Sequence, residues 1–204
     1  PLHKLPPNVV LIDMNSTYTL VDTLLRVRDS KSDWVISRDK IHDILTINLD
    51  KYPYLLVEFK PALGHIFSKY IESYSHWGYS DLDIIFGDLP RWISPDELTD
   101  YDIVSYGFGD QERVYLRGQF TFHKNTEKAN QIWRECKFLS KIDVRYKKAM
   151  TKNEKLSFES AEGCYSAAVM KRHDLRVKYA VKAFTDVDSK DTAHTQGLYV
   201  SVGS

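Results

Sequence analysis

Cysteine is scarce in this chain of 204 residues, which carries only Cys136 and Cys164. Neither has a Cys or His partner at metal-ligand spacing, so a zinc ribbon or finger is excluded, while the sequence leaves open whether the two pair. No apolar run reaches the length of a bilayer span, and the first residues show no signal-peptide pattern. Net charge is missing as well, with 28 Lys plus Arg against 28 Asp plus Glu. No overall field therefore draws the chain to nucleic acid or to an anionic membrane, and binding has to come from a local site. Repeats and low-complexity tracts are absent.

What is present fits an ordinary globular chain: 43% hydrophobic and 27% charged residues, with 13 Tyr and 4 Trp. The length predicts one domain over residues 1–204. The aromatic rings serve a core first, and their faces also suit stacking on sugars or a nucleobase. The chain opens abruptly, with a strand expected at residues 9–12, and reads as an excised domain whose preceding strand is missing. Location stays open between cytoplasmic, virus-encoded and the lumenal part of a secretory-pathway enzyme, as does the oligomeric state.

Strand and helix signals alternate along the chain. After the apolar run at 9–12, Ser16 is placed to cap a helix with Leu20, Leu24 and Val27 on one stripe. A short helix is expected over 36–45, and Leu63, Ile66, Phe67, Tyr70, Ile71 and Tyr74 predict a longer one from Pro61 onward. Residues 77–79, 84–86, 103–106 and 114–123 read as strands, the last two as sheet neighbours. Asn125 is placed to cap a helix with the stripe Ala129, Ile132, Trp133, Cys136 and Leu139. The polar segment 141–155 is expected to be a loop or frayed helix able to cover a site, followed by a helix at 160–170 and a strand at 177–184. The fold class is α/β, an open mixed sheet flanked by helices, with ligands expected beyond the carboxyl ends of the strands.

The segment WGYSDLDIIFGD, residues 77–88, sets Asp81 and Asp83 two positions apart at such an end. In extended backbone these carboxylates project to one side, so both can address one hard divalent ion, Mn²⁺ or Mg²⁺, that keeps places for substrate phosphates. A bare D-x-D arises often by chance and then marks a turn or a solvated pair. Its surroundings add weight. Lys60 stands before Pro61 against the helix macrodipole, which favours a bound phosphate, although pairing with Glu58 or solvation serves equally. Gly118 falls inside a predicted strand between Arg117 and Gln119, where close approach of a ligand or a β-bulge would explain it. Glu162 is the candidate base for an acceptor hydroxyl, its bland alternative being a first-turn carboxylate. His194, in a polar tail, is a candidate third metal ligand, and otherwise part of a solvated terminus.

Taken in order, VEFKPALGHIF, HWGYSDLDIIFGDLPRWI, YDIVSYG, LRGQFTFHKN and SAEGCYS resemble glycosyltransferase-like proteins of the glycosyltransferase-A fold, with bacterial, fungal and chlorella-virus members. The likeness covers residues 52–170 well and the flanks more loosely. It implies that Asp83 ligates Mn²⁺ while Asp81 meets the ribose or the metal. It also implies a nucleoside contact at Glu58, where relatives carry Asp, so that this contact is longer or lost here. Relatives begin with a strand and loop that hold the nucleobase, upstream of the segment like residues 9–13.

The expectation is a hexosyl- or deoxyhexosyltransferase that moves a sugar from a nucleoside-diphosphate donor, UDP-sugar favoured, to a glycan hydroxyl. Metal ligands would be Asp81, Asp83 and His194. Donor contacts would be Asp81, Glu58, Lys60, Arg117 and Gln119, with Glu162 the base of an inverting transfer. The alternative is a non-catalytic nucleotide- or carbohydrate-binding module of the same fold.

Overall fold

A computed structural model of the chain describes residues 7–14, 16–25, 37–51, 53–81, 84, 86–107, 116, 118–136, 144, 151 and 161–181, without the side chains of Ala161, Glu162 and Val181. Its centre is a four-stranded sheet of β1 (His76–Ser80), β2 (Ile103–Gly107), β3 (Phe120–Lys124) and β4 (Val177–Val181) in the order β1-β3-β2-β4. β3 runs antiparallel to both neighbours, with Trp77 and Ile103 each opposite His123, and β4 runs parallel to β2. The sheet is therefore mixed, open and flanked by helices, as the alternation of signals predicts.

Both faces of the two central strands are buried, and the hydroxyls of Ser105 on β2 and Thr121 on β3 meet each other at 2.8 Å across the strands. One face packs on the larger core. Into it go α1 (Thr17–Leu24), α2 (Arg38–Lys51), a 3₁₀ helix over Pro53–Ala62 and α8 (Ala161–Met170), through Leu24, Ile41, Leu45, Phe59 and Tyr165 among others. The opposite face carries Val104, Tyr106, Phe120 and Phe122 under α5 (Leu89–Trp92) and α6 (Pro95–Asp100). Cys136 and Cys164 form a disulfide that ties the end of a 3₁₀ turn, Ile132–Glu135, to α8. Among the described residues no helix is long and apolar enough to cross a membrane.

Several local expectations hold, Ser16 among them. Its hydroxyl accepts the Thr19 amide at 3.3 Å and opens α1. Others give way. Residues 9–12 are irregular and exposed, Val10 at 81%, because no described strand offers them a ladder and a short apolar run has no other source of strand hydrogen bonds. The helix expected from Pro61 breaks into α3 (Leu63–Ile66) and α4 (Ser68–Ile71), parted by a turn at Phe67. Pro61 itself belongs to the preceding 3₁₀ helix, and Tyr70 and Tyr74 remain exposed, so the far end of the apolar stripe has nothing to pack on. Ile84 and Phe86 are not in a strand, and β3 starts only at Phe120, which leaves Gly118 and Gln119 in a bend. Helix α7 (Glu127–Asn130) is capped by Thr126, one residue later than expected. Asn125 instead donates its amide to the Ile71 and Tyr74 carbonyls at 2.7 and 2.8 Å. Val27, Leu139 and all but two residues of the polar segment 141–155 lie outside the described residues.

Candidate functional site

The site grows from the end of β1. Strand periodicity turns Trp77 and Tyr79 toward the larger core and leaves Gly78 on the other face. Asp81, the next residue on the Trp77 side, continues the strand direction, and its amide donates to the Gln119 carbonyl at 3.3 Å. The Gln119 bend thus closes the β1–β3 ladder just where Ser80 pairs with Phe120.

Lys60 reaches this point from the 3₁₀ helix. Its ammonium donates to Asp81 Oδ1 and to the Gly118 carbonyl, the latter at 3.0 Å. The side chain of Lys60 is 12% exposed and that of Asp81 34%, so the pair stands at the wall of the protein with the carboxylate on the open side. Of the two bland alternatives for Lys60, solvation and pairing with Glu58, neither is what forms. The glycine expected inside a strand has a different role: at a bend, Gly118 turns its carbonyl onto the ammonium. A carbonyl is a neutral acceptor that steadies a cation without cancelling its charge.

Three further candidates belong to the same neighbourhood. Gln119 follows Gly118 in the bend, and its side-chain Oε1 is buried with no hydrogen-bond partner among the described residues. Glu58 precedes Lys60 by two positions and is buried at 2% exposure, which places it in the inner wall and not on the open side. Glu162 sits in the first turn of α8, which packs on the 3₁₀ helix that carries Lys60, while its side chain lies outside the described part. Asp83, Arg117 and His194 lie outside the described residues. Among the described residues no group of three or more His, Cys, Asp and Glu converges on a point that would hold a metal ion. Asp81 is a hard oxygen donor of the type Mn²⁺ or Mg²⁺ takes, and Asp83, two positions on in the sequence, is of the same donor type.

Behind Asp81 lies a layer that the sequence does not advertise. The indole of Trp77 stacks on the His123 imidazole, centroids 4.3 Å apart at 7°, and its Nε1 donates to Asn130 Oδ1 at 2.6 Å. Helix α3 accepts the indole because residue 64 is glycine: a Cβ there would stand 2.2 Å from Trp77 Cε2. His123 is fully buried, with neither ring nitrogen bonded among the described residues, and burial pushes its pKa down to about 3. It is therefore neutral at physiological pH. Tyr165 lies in the same layer, its hydroxyl held well above the usual phenol range by burial and by nearby Tyr79.

On the other face, Gly78 floors an apolar depression of about 300 Å³ walled by Phe86, Leu89, Ile93, Phe120 and Phe122. A Cβ at Gly78 would come 2.9 Å from the Thr121 carbonyl, so close strand approach demands this glycine. Next to the depression, Glu97 is wholly buried. Its Oε2 accepts the Ser94 amide at 3.0 Å and the Tyr106 hydroxyl at 2.8 Å, and its Oε1 stands in ion-pair contact with the Lys178 ammonium at 3.1 Å. This buried carboxylate is structural: it closes a capping box on α6.

Comparison with curated proteins and with solved structures yields no match. A family model does match, over residues 37–198, which takes in every strand and all helices after α1, and the chain belongs to that family, described as "Family of unknown function (DUF6625)".

Proposed function

We propose that the chain is a metal-dependent glycosyltransferase, taking a sugar from a nucleoside-diphosphate donor to a hydroxyl on a glycan. The observation that carries this reading is the meeting of Lys60, Asp81 and the Gly118–Gln119 bend at the end of β1. A mostly buried lysine is placed beside the first carboxylate of a D-x-D although 21 positions separate them in sequence. Phosphate oxygens need fixed positive charge in a site of restricted solvent access, and this corner has it.

Mn²⁺ or Mg²⁺, held by Asp81 and Asp83 with His194 as a third ligand, would stabilise the departing diphosphate. Lys60 would add a second positive charge. Gln119 and Arg117 would face the sugar or acceptor, and Glu162 would take the acceptor proton in an inverting transfer. A uridine donor is favoured. The paired cysteines fit an oxidising compartment, which favours a lumenal setting over a cytoplasmic one. The second reading, a binding module without turnover, draws on Glu58, which is buried where a nucleoside contact would need an open face.

Titration with uridine and guanosine diphosphates, with and without Mn²⁺, separates the two readings. The transferase requires metal-dependent nucleotide binding lost in Asp83→Ala, together with release of sugar from the matching donor. Glycan binding that ignores metal would sink it.

A further inference from the structure

The first carboxylate of the D-x-D is in contact with a cation of the protein's own. Among the described residues Asp81 is the carboxylate in ion-pair contact with Lys60, and Lys60 is the cation in contact with Asp81. Two of the three ammonium donors are engaged, by Asp81 Oδ1 and the Gly118 carbonyl. The third has no hydrogen-bond partner among the described residues. Asp81 in turn is one-third exposed, so a cation from solvent can reach its carboxylate.

We infer that Lys60 is a built-in competitor for the divalent cation at Asp81, displaced by the diphosphate of the nucleotide, so that metal and nucleoside diphosphate bind as a coupled pair. The inference rests on the transferase reading and goes beyond it, since a D-x-D alone would couple metal and diphosphate only through their direct contact. Three features support it. An ammonium hydrogen-bonded to a carboxylate oxygen occupies the oxygen that a metal would take and repels a second cation beside it. A lysine head on a four-carbon stem can leave that oxygen while the stem stays packed, as a rigid guanidinium fork could not. The acceptors that draw it away must be strong and anionic, which phosphate oxygens are and the neutral Gly118 carbonyl is not. Coupling of this kind is reciprocal: the factor by which the diphosphate strengthens metal binding equals that by which metal strengthens diphosphate binding.

Calorimetric titration of Mn²⁺ into the wild-type, K60Q and K60R proteins, each with and without saturating uridine diphosphate, tests this. K60Q should bind Mn²⁺ alone about tenfold more tightly than wild type, the order of effect of removing one competing ion pair. In K60Q the coupling between Mn²⁺ and the nucleotide should fall below that of wild type, to what direct contact between metal and phosphate supplies, while K60R, which keeps the charge, should bind Mn²⁺ alone as weakly as wild type. Equal Mn²⁺ affinity in wild type and K60Q, with coupling unchanged, overturns the inference and leaves the transferase reading intact. The wild-type protein is a second test that needs no variant: Mn²⁺ affinity unaffected by the nucleotide also overturns it. Failure of wild type to bind Mn²⁺ even with nucleotide removes the metal-dependent reading and the inference together.

Discussion

Replacing Gly64 by alanine adds one methyl group where the structure has no room for it. The new Cβ would lie 2.2, 2.4 and 2.6 Å from Cε2, Cζ2 and Nε1 of Trp77, so the indole has to withdraw by more than about 1 Å to restore ordinary contact. Retreat is blocked on its far side by His123 at 4.3 Å, and its Nε1 is tied to Asn130 at 2.6 Å. Overpacking of a filled core costs about 1–3 kcal/mol, loss of the indole hydrogen bond about 1 and disturbance of the ring stack about 1. Alanine returns about 1 kcal/mol through helix propensity. The net expectation is a loss of about 2–4 kcal/mol, or roughly 5–15 °C in Tm for a chain of this size. Urea unfolding followed by tryptophan fluorescence measures it. Gly163→Ala in α8 is the matched control, because a Cβ there meets nothing within 4 Å among the described residues and should leave stability equal or slightly raised. A Gly64→Ala protein as stable as wild type would refute the packing of α3 against β1.

Burial of His123 makes the protein sensitive to acid. Its folded pKa lies near 3 against an ordinary 6.5, so below pH 6.5 the unfolded chain takes up a proton that the folded chain refuses. Stability falls by up to about 1.4 kcal/mol per pH unit, giving a loss of about 2 kcal/mol at pH 5 relative to pH 7. His123→Phe should remove that part of the pH dependence, and equal slopes in the two proteins, or an NMR titration of His123 near 6.5, would rule the account out. The Cys136–Cys164 disulfide closes a loop with a sequence separation of 28, worth about 3–4 kcal/mol in chain entropy. Reduction, or Cys136→Ser with Cys164→Ser, should lower the urea midpoint accordingly, and an unchanged midpoint would contradict it. Glu97→Ala strands the Tyr106 hydroxyl, leaves Lys178 its longer pair with Asp96 at 3.6 Å and removes the α6 capping box, for a loss of about 2–3 kcal/mol. Glu97→Gln, which keeps an acceptor for Tyr106 but loses the charge, should cost less, and a glutamine variant no more stable than the alanine one would show that charge, and not the acceptor, holds this cluster.

Short-range patterns in the sequence carry the sheet and the capped helices. Ile103 to Tyr106 and Phe120 to His123 have β-branched and aromatic strand composition, and both form strands, buried on both faces. Ser16 precedes an apolar stripe and caps it, while at the stripe from Ala129 the cap is Thr126 and not the expected Asn125. What periodicity cannot supply is the partner. The 9–12 run has strand composition but lacks a described strand to pair with, and the stripe from Leu63 to Tyr74 has helical spacing but loses its packing surface after Phe67. Propensity is a weak prior, and tertiary contacts overrode it at both places.

The site was legible in part for the same reason. That Asp81 would stand at a strand end follows from local pattern, and so does the oddity of a lysine before Pro61. The link between them does not, because it depends on a 3₁₀ segment that brings Lys60 to the first turn after β1, and on a bend that presents the backbone of Gly118 and not a side chain. Backbone acceptors leave no residue-type signature except the glycine, which a strand, a bulge and a bend explain equally well. The His123 layer leaves none either: an imidazole in an apolar alternation reads like any strand histidine until Trp77 is found stacked on it. If that layer served stability alone, phenylalanine would serve better there, since two unbonded ring nitrogens cost free energy that a hydrocarbon ring avoids. His123→Phe should therefore raise stability at pH 7 by about 1 kcal/mol or more. Where nucleotide affinity is lost in the same protein, the imidazole supports the strand end that carries Asp81, and where it is unchanged, His123 has no part in the site.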